Sequence, residues 1–213
     1  MSRLSEATVW DIAKRQNPNA WTASFARRAD AVLPFDPAAV PSHLPVMLDT
    51  DFYIDRLQRK VPLDLLEFVA GRRVVHSAVA MQELTIAAGI LDPAHPNTPG
   101  TRQSIINLLG VIDTSEVVSP GPVSWVEAGM VAGILARTQH LNRSKKELSP
   151  DEACCQQGLR RKLLNDALMF LSAYEKEVCL VSANVKDMDL LLRFRPEVHV
   201  LLYRPMPSAR KGR

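Results

Sequence analysis

Short apolar runs without alternation recur along the chain and are separated by longer stretches of helical spacing. The runs cover residues 45–48 (PVML), 74–76 (VVH), 178–182 (VCLVS) and 198–203 (VHVLLY). A run that does not alternate apolar with polar residues is typical of a strand buried on both faces, as in a parallel sheet covered by helices. We therefore predict an α/β protein: an α/β/α sandwich around a central, mainly parallel sheet of four to five strands.

Composition narrows the class of protein. The chain has 213 residues, of which 46% are hydrophobic and 23% charged, a balance that excludes intrinsic disorder. No apolar run reaches the roughly 18–20 residues that cross a bilayer, so no membrane association is expected. Three cysteines, without C-x-x-C spacing, provide neither a disulfide framework nor a structural zinc site. We expect a cytoplasmic protein.

The chain divides into three parts by sequence. Residues 1–45 read as an N-terminal extension, with helices predicted over 7–16 and 21–32 and a proline-rich linker after them. Residues 46–204 form the body, and residues 205–213 form a basic tail. The last ten residues carry four cations and no acid, so the remaining 203 residues sum to −1. Charge alone does not decide the function.

Local signals place the elements of the body. Pro62 is expected to divide the helical stretch 51–70 into two helices, and Ser77 is expected to cap a helix over 78–91. Residues 111–113 together with 117–118 are predicted to form the third strand, and residues 123–141 a helix. Asp55 is expected at a helix cap or on an exposed face, and Asp189 is expected to be exposed.

Four carboxylates interrupt or end these apolar segments. Asp49 follows the first strand, Glu83 lies in the helix after the second, Asp166 interrupts an apolar helix flank, and Asp187 follows the fourth strand. Each one alone is explained equally well as a turn former or a helix cap. Together they suggest a shared divalent cation, because buried carboxylates are costly unless a charge compensates them. Mg²⁺ or Mn²⁺ prefers such oxygen ligands and supports phosphodiester hydrolysis.

The order of these motifs resembles that of the PIN-domain nucleases, specifically the VapC-like toxins of toxin–antitoxin pairs. The three segments that carry the resemblance are VMLDTDFYID, SAVAMQELTI and LLNDALMFLSAYEKEVCLVSANVKDMDLL. They match an apolar strand ending in Asp-Thr, a Ser…Glu-Leu helix, a helical Asp-Ala, and a strand running into Ser-x-Asn-x-x-Asp. The resemblance spans residues 46–203. The separation between the second and third motifs is longer than in compact members.

The resemblance implies a PIN-like fold with a metal-binding core of Asp49, Glu83 and Asp166. Asp187 or Asn184 would complete this core. Asn184 departs from the pattern, because a carboxylate is expected at its position and an amide oxygen ligates without charge. Thr50 and Ser182 would supply hydroxyl groups that hold the carboxylates in place.

The resemblance also implies an endoribonuclease that requires Mg²⁺ or Mn²⁺ and acts as a toxin. It implies an RNA substrate, a cognate antitoxin protein and a homodimer. Basic residues at 56–60, 145–146 and 160–162 are candidates to flank a single-stranded groove, although their spacing also suits a solvated helix face. Two alternatives remain open. One is a housekeeping RNA-processing or DNA nuclease, and the other is a catalytically degenerate PIN module that binds nucleic acid or a protein partner.

Overall fold

A computed structural model of the protein describes residues 5–140 and 159–207. Its sheet has five strands, all parallel, in the order β3-β2-β1-β4-β5. This arrangement confirms the predicted α/β class and the parallel sheet. The strands are β1 (Val46–Leu48), β2 (Val74–Ser77), β3 (Val117–Val118), β4 (Cys179–Ser182) and β5 (Val200–Leu202).

In the described residues, one helix precedes the first strand and the others connect the strands. In chain order the helices are α1 (Glu6–Gln16), α2 (Thr50–Leu57), α3 (Leu63–Ala70), α4 (Ala78–Gly89), α5 (Thr98–Gly110), α6 (Pro122–Leu135), α7 (Leu159–Glu175) and α8 (Val185–Leu191). Pro62 is the residue before α3, as predicted. The Ser77 hydroxyl caps α4 by accepting hydrogen bonds from the backbone N–H groups of Val79 and Ala80.

Three of the four apolar runs form strands that are buried throughout. Every residue of β1, β4 and β5 is buried. Met47 in the central strand pairs with Val75 of β2 on one side and with Leu180 of β4 on the other. The prediction of a strand at residues 111–113 is wrong. Val111 is the C-cap residue after α5, and the Asp113 carboxylate caps the 3₁₀ turn Thr114–Glu116 by accepting a hydrogen bond from the backbone N–H of Ser115.

The chain forms two compact units. The sheet unit comprises Pro34–Ser119, Glu177–Val185 and His199–Arg213, and it contains all five strands with α2 to α5. The helical unit comprises Met1–Leu33, Pro120–Lys176 and Lys186–Val198. It contains α1, α6, α7 and all of α8 except Val185, and α6 packs against both α1 and α7. The predicted sequence boundaries at residues 45 and 204 stay a prediction.

Within the helical unit, the predicted helix over residues 21–32 is wrong except for a 3₁₀ turn at Asp30–Val32. The Trp21 ring packs against Phe194, with ring centroids 4.6 Å apart. The Arg28 backbone N–H donates to one carboxylate oxygen of Asp189, and its Nε donates to the other. Asp189 is only 1% exposed, so its predicted exposure is also wrong. These distant partners hold the segment in an irregular conformation.

Glu127 organises a second buried cluster in the helical unit. It lies on α6 and accepts two hydrogen bonds of 2.8 Å from the Arg195 guanidinium, one to each carboxylate oxygen. The amide of Gln16 at the end of α1 donates to the same carboxylate, and Arg15 also forms an ion pair with it. These bonds are needed for stability, because a buried charge without its partner is strongly destabilising.

In the part of the chain that the structure describes, no helix is long and apolar enough to cross a membrane. Some predicted features lie outside the described residues. They are the basic pair at residues 145–146, the side chain of Arg160, and the basic tail beyond residue 207.

Candidate functional site

The strand order creates one position where a ligand site is expected. From the central strand β1 the chain first builds β2 and then β3 on one side, and it later returns to add β4 and β5 on the other. The connections that leave the carboxyl ends of β1 and β4 therefore diverge, and such a position is where open parallel sheets bind ligands. Asp49 directly follows β1, and Ser182 is the last residue of β4.

The two strand ends are joined through Asp49. Its backbone N–H donates to the Val181 carbonyl of β4, at 3.0 Å. Its carboxylate caps α2 by accepting a 2.6 Å hydrogen bond from the backbone N–H of Thr50 at Oδ1. The second oxygen, Oδ2, accepts a 2.5 Å hydrogen bond from the Ser182 hydroxyl. The carboxylate is therefore fixed at both oxygens, and the residue is only 3% exposed.

The Ser182 hydroxyl has a determined orientation. Its oxygen accepts a 3.0 Å hydrogen bond from the backbone N–H of Asn184, so its single proton is directed at Asp49. Asn184 thus contributes a backbone group to this chain of bonds, while its side chain is half-buried. Ser182 stands where the resemblance expects a threonine, and its hydroxyl supplies the contact to Asp49.

Glu83 is linked to the same strand end through Thr50. The capped start of α4 at Ser77 sets the position of Glu83 two turns later. The Thr50 hydroxyl donates a 2.5 Å hydrogen bond to Oε2 of Glu83. Thr50 therefore contacts Asp49 through its backbone and Glu83 through its side chain. Asp49, Thr50, Glu83, Ser182 and Asn184 all belong to the sheet unit.

Burial makes the charge on Asp49 unfavourable. The pKa of this carboxyl is raised from 3.8 to about 7, chiefly by burial and in smaller part by the nearby carboxylates of Asp51 and Glu83. The hydrogen bonds from Ser182 and the Thr50 N–H act in the opposite direction, because they favour the ionised form. Within the described residues, no lysine or arginine forms an ion pair with Asp49. A cation bound at this position would favour the ionised form of the Asp49 carboxyl.

Two tyrosines near this edge were not singled out from the sequence. The Tyr53 hydroxyl lies 2.6 Å from Nδ1 of His76, and burial raises the pKa of Tyr53 while it lowers that of His76. The phenol therefore keeps its proton and donates it to a neutral imidazole. The Tyr203 hydroxyl donates a 2.9 Å hydrogen bond to Asp55. Asp55 is consequently buried rather than exposed, and its contact lies 148 positions away in sequence, where no local pattern signals it.

The two remaining predicted acids belong to the helical unit. Asp166 lies on α7 and is 6% exposed, and Asp187 lies in the first turn of α8 and is 5% exposed. Asp187 accepts a 2.5 Å hydrogen bond from Lys162 Nζ, also on α7. In the described residues there is no group of three or more His, Cys, Asp or Glu side chains placed to hold a metal ion.

The donor set of the sheet unit nevertheless suits a divalent cation. The carboxylates of Asp49 and Glu83 are hard oxygen ligands, which Mg²⁺ and Mn²⁺ prefer. Their partners, the hydroxyls of Ser182 and Thr50, orient them as outer hydrogen bonds orient metal ligands in proteins. Ionising the buried Asp49 carboxyl costs free energy, as its raised pKa indicates, and a bound cation would offset that cost. The role of these residues as ligands stays a prediction.

Comparisons with known proteins give limited matches. No protein-family model matches the chain, and no curated protein is similar to it. Among solved structures, the chain is similar to one in the structure of FitAB bound to an IR36 DNA fragment. The match covers 78% of this chain and 99% of that chain, with 13% sequence identity and a TM-score of 0.37.

Proposed function

We propose that the protein is a Mg²⁺- or Mn²⁺-dependent endoribonuclease that acts as the toxin of a toxin–antitoxin pair. One observation carries the proposal. Asp49 is a buried carboxylate at the switch point of a parallel sheet, fixed at both oxygens and beside a second fixed carboxylate, Glu83. The motif order described above supports the same function.

In this proposal Asp49 and Glu83 hold the metal, and Asp166 with Asp187 or Asn184 completes its ligand set. The ion, when bound, would stabilise negative charge at the phosphate and favour attack by water. The protein's own hydroxyl groups orient the two carboxylates. Ser182 holds Oδ2 of Asp49, and Thr50 holds Oε2 of Glu83, so neither carboxylate has to reorganise when substrate binds.

The test is cleavage of a mixed, labelled RNA pool by purified protein with Mg²⁺, with Mn²⁺ and with chelator. We expect cleavage that requires the metal and is abolished in Asp49→Asn, because the amide removes the charged ligand. Asp92→Asn is the matched control, since Asp92 is an exposed aspartate of the same unit that makes only a local turn contact. Equal cleavage by the wild type and the folded Asp49→Asn variant would refute the site.

The toxin assignment requires separate evidence. Expression of the wild-type chain is expected to arrest growth, and a small protein encoded beside it is expected to relieve the arrest. The Asp49→Asn variant should not arrest growth, although it should still bind that partner and form the proposed homodimer. Metal-dependent cleavage without toxicity would favour a housekeeping nuclease instead.

The degenerate binding module is favoured by a specific contact. Lys162 occupies one oxygen of Asp187, and Asn184 brings no charge. If Asp187 completes the metal site, Lys162 competes with the ion for its charge, so Lys162→Gln should preserve or raise Mn²⁺ affinity. Folded, partner-free protein that binds RNA but cuts it with neither metal would favour the module.

A further inference from the structure

The sheet unit contains a small cavity at the end of β5, outside the carboxylate cluster. Its volume is about 220 Å³, below the roughly 300–1,000 Å³ of pockets for drug-sized ligands. A cavity of this size suits one planar fragment such as a nucleobase. Its walls are partly apolar and partly charged, and they include Phe35, Pro62, Asp64, Leu65, Tyr203 and Arg204.

Backbone contacts fix the walls of this cavity. The Leu202 N–H of β5 donates to the Pro34 carbonyl at 2.7 Å, which holds Phe35 beside the strand. The Met206 N–H donates to the Lys60 carbonyl at 2.7 Å, which holds the segment after β5 beside the loop between α2 and α3. The Arg204 guanidinium stacks over the Phe35 ring, 5.2 Å from its centroid. A guanidinium carries five N–H donors in a geometry that matches phosphate, so Arg204 is suited to a phosphate at the wall of the cavity.

The cavity is connected to the candidate site through Tyr203. This residue lines the cavity, and its hydroxyl bonds Asp55 on α2. Helix α2 begins at the Asp49 cap and has eight residues, so it is about 12 Å long. A single strand with one phosphate near Asp49 would therefore reach this cavity within a few nucleotides.

We propose that this cavity binds one nucleotide of the single-stranded substrate, an inference that rests on the proposed nuclease function. Arg204 contacts a phosphate, and the base enters the cavity against its apolar wall. Asp64 is an exposed carboxylate at that wall and, when ionised, only accepts hydrogen bonds. It therefore favours a base with an amino group, such as cytosine or adenine, over uracil.

The experiment measures binding rather than cleavage. Fluorescence anisotropy follows twelve-residue oligo(C), oligo(A) and oligo(U) RNA on the full-length Asp49→Asn chain, at two salt concentrations. Adding Arg204→Gln is expected to weaken binding of all three about tenfold and to reduce the salt dependence by about one phosphate contact. Adding Asp64→Asn is expected to reduce the preference for oligo(C) over oligo(U) several-fold. Arg73→Gln is the control, because Arg73 is exposed in the same unit and paired with Glu116.

The outcomes separate this inference from the proposed function. If Arg204→Gln binds RNA as tightly as Arg73→Gln does, the cavity is not a nucleotide site, and the nuclease proposal stands on its own cleavage test. If Arg204→Gln instead weakens only the binding of a partner protein, the cavity is a protein-docking site and the inference is overturned. If the Asp49→Asn chain binds none of the three RNAs, both the inference and the proposed substrate are wrong.

Discussion

Asp49→Asn is expected to stabilise the protein at neutral pH in the absence of divalent metal. In the unfolded chain Asp49 ionises near 3.8, whereas burial raises its pKa in the folded protein to about 7. Between those values the folded state binds a proton that the unfolded state has lost, so the free energy of unfolding falls as the pH rises. Each pH unit costs about 1.4 kcal/mol, which gives a loss of about 4 kcal/mol above pH 7.

The asparagine removes this cost while keeping most contacts. Its carbonyl oxygen still accepts from the Thr50 N–H, and its amide faces the Ser182 oxygen. At roughly 2–4 °C per kcal/mol for a chain of this size, the difference in melting temperature between variant and wild type approaches 8–16 °C at pH 7.5. At pH 4 the two should melt within a few degrees of each other.

Thermal unfolding followed by circular dichroism in chelator, at pH 4 and pH 7.5, measures this difference. Asp92→Asn is the control, because Asp92 is exposed in the same unit and its side chain makes a local turn contact, and its substitution should change stability by less than about 0.5 kcal/mol. Mn²⁺ should then raise the melting temperature of the wild type and not that of Asp49→Asn. An Asp49→Asn variant no more stable than the wild type at pH 7.5 would refute the reasoning.

Two further predictions concern the hydrogen bonds of each unit. Ser182→Ala should weaken Mn²⁺ binding at pH 7 about tenfold or more in calorimetry, because the ionised Asp49 carboxylate loses a hydrogen bond worth about 1.5–3 kcal/mol. Ser182→Thr keeps the hydroxyl and should keep the affinity. Equal affinity of the alanine and threonine variants would contradict this. Glu127→Ala should lower the free energy of unfolding in urea by about 3–5 kcal/mol, because it removes the buried carboxylate that accepts two hydrogen bonds from Arg195 and leaves only the more exposed Glu197 as its partner. Adding Arg195→Met should recover much of the loss, and a loss below about 1 kcal/mol would contradict the prediction.

The parallel sheet was predictable because its signal is local. Strands buried on both faces need continuous apolar residues, so β1 and β4 are visible in the sequence without knowledge of their partners. The same local logic places Asp49 at a strand end and Ser77 at a helix cap. Val111 and Ile112 give the same local signal without forming a strand, since they follow α5 and lead into a 3₁₀ turn, where Val111 is exposed.

The errors share a long-range cause. Residues 21–32 have helical spacing, yet Trp21 packs on Phe194, and Arg28 bonds Asp189 from 161 positions away. Asp55 is expected at a helix cap or on an exposed face for the same reason, because its partner Tyr203 follows β5, 148 positions away. Polar groups whose partners are distant in sequence give no periodic signal, so neither their burial nor their contacts follow from local patterns.

The most direct test of the central claim, that Asp49 is a divalent-metal ligand, is a calorimetric Mn²⁺ titration in two buffers of different ionisation enthalpy. With a pKa of about 7, Asp49 is about half protonated at pH 7 and must lose that proton when it ligates. The wild type should therefore release about half a proton per bound ion at pH 7 and almost none at pH 8.5, and Asp49→Asn should bind far more weakly with no such release. Equal Mn²⁺ binding by the two proteins, without proton release at pH 7, would contradict the account.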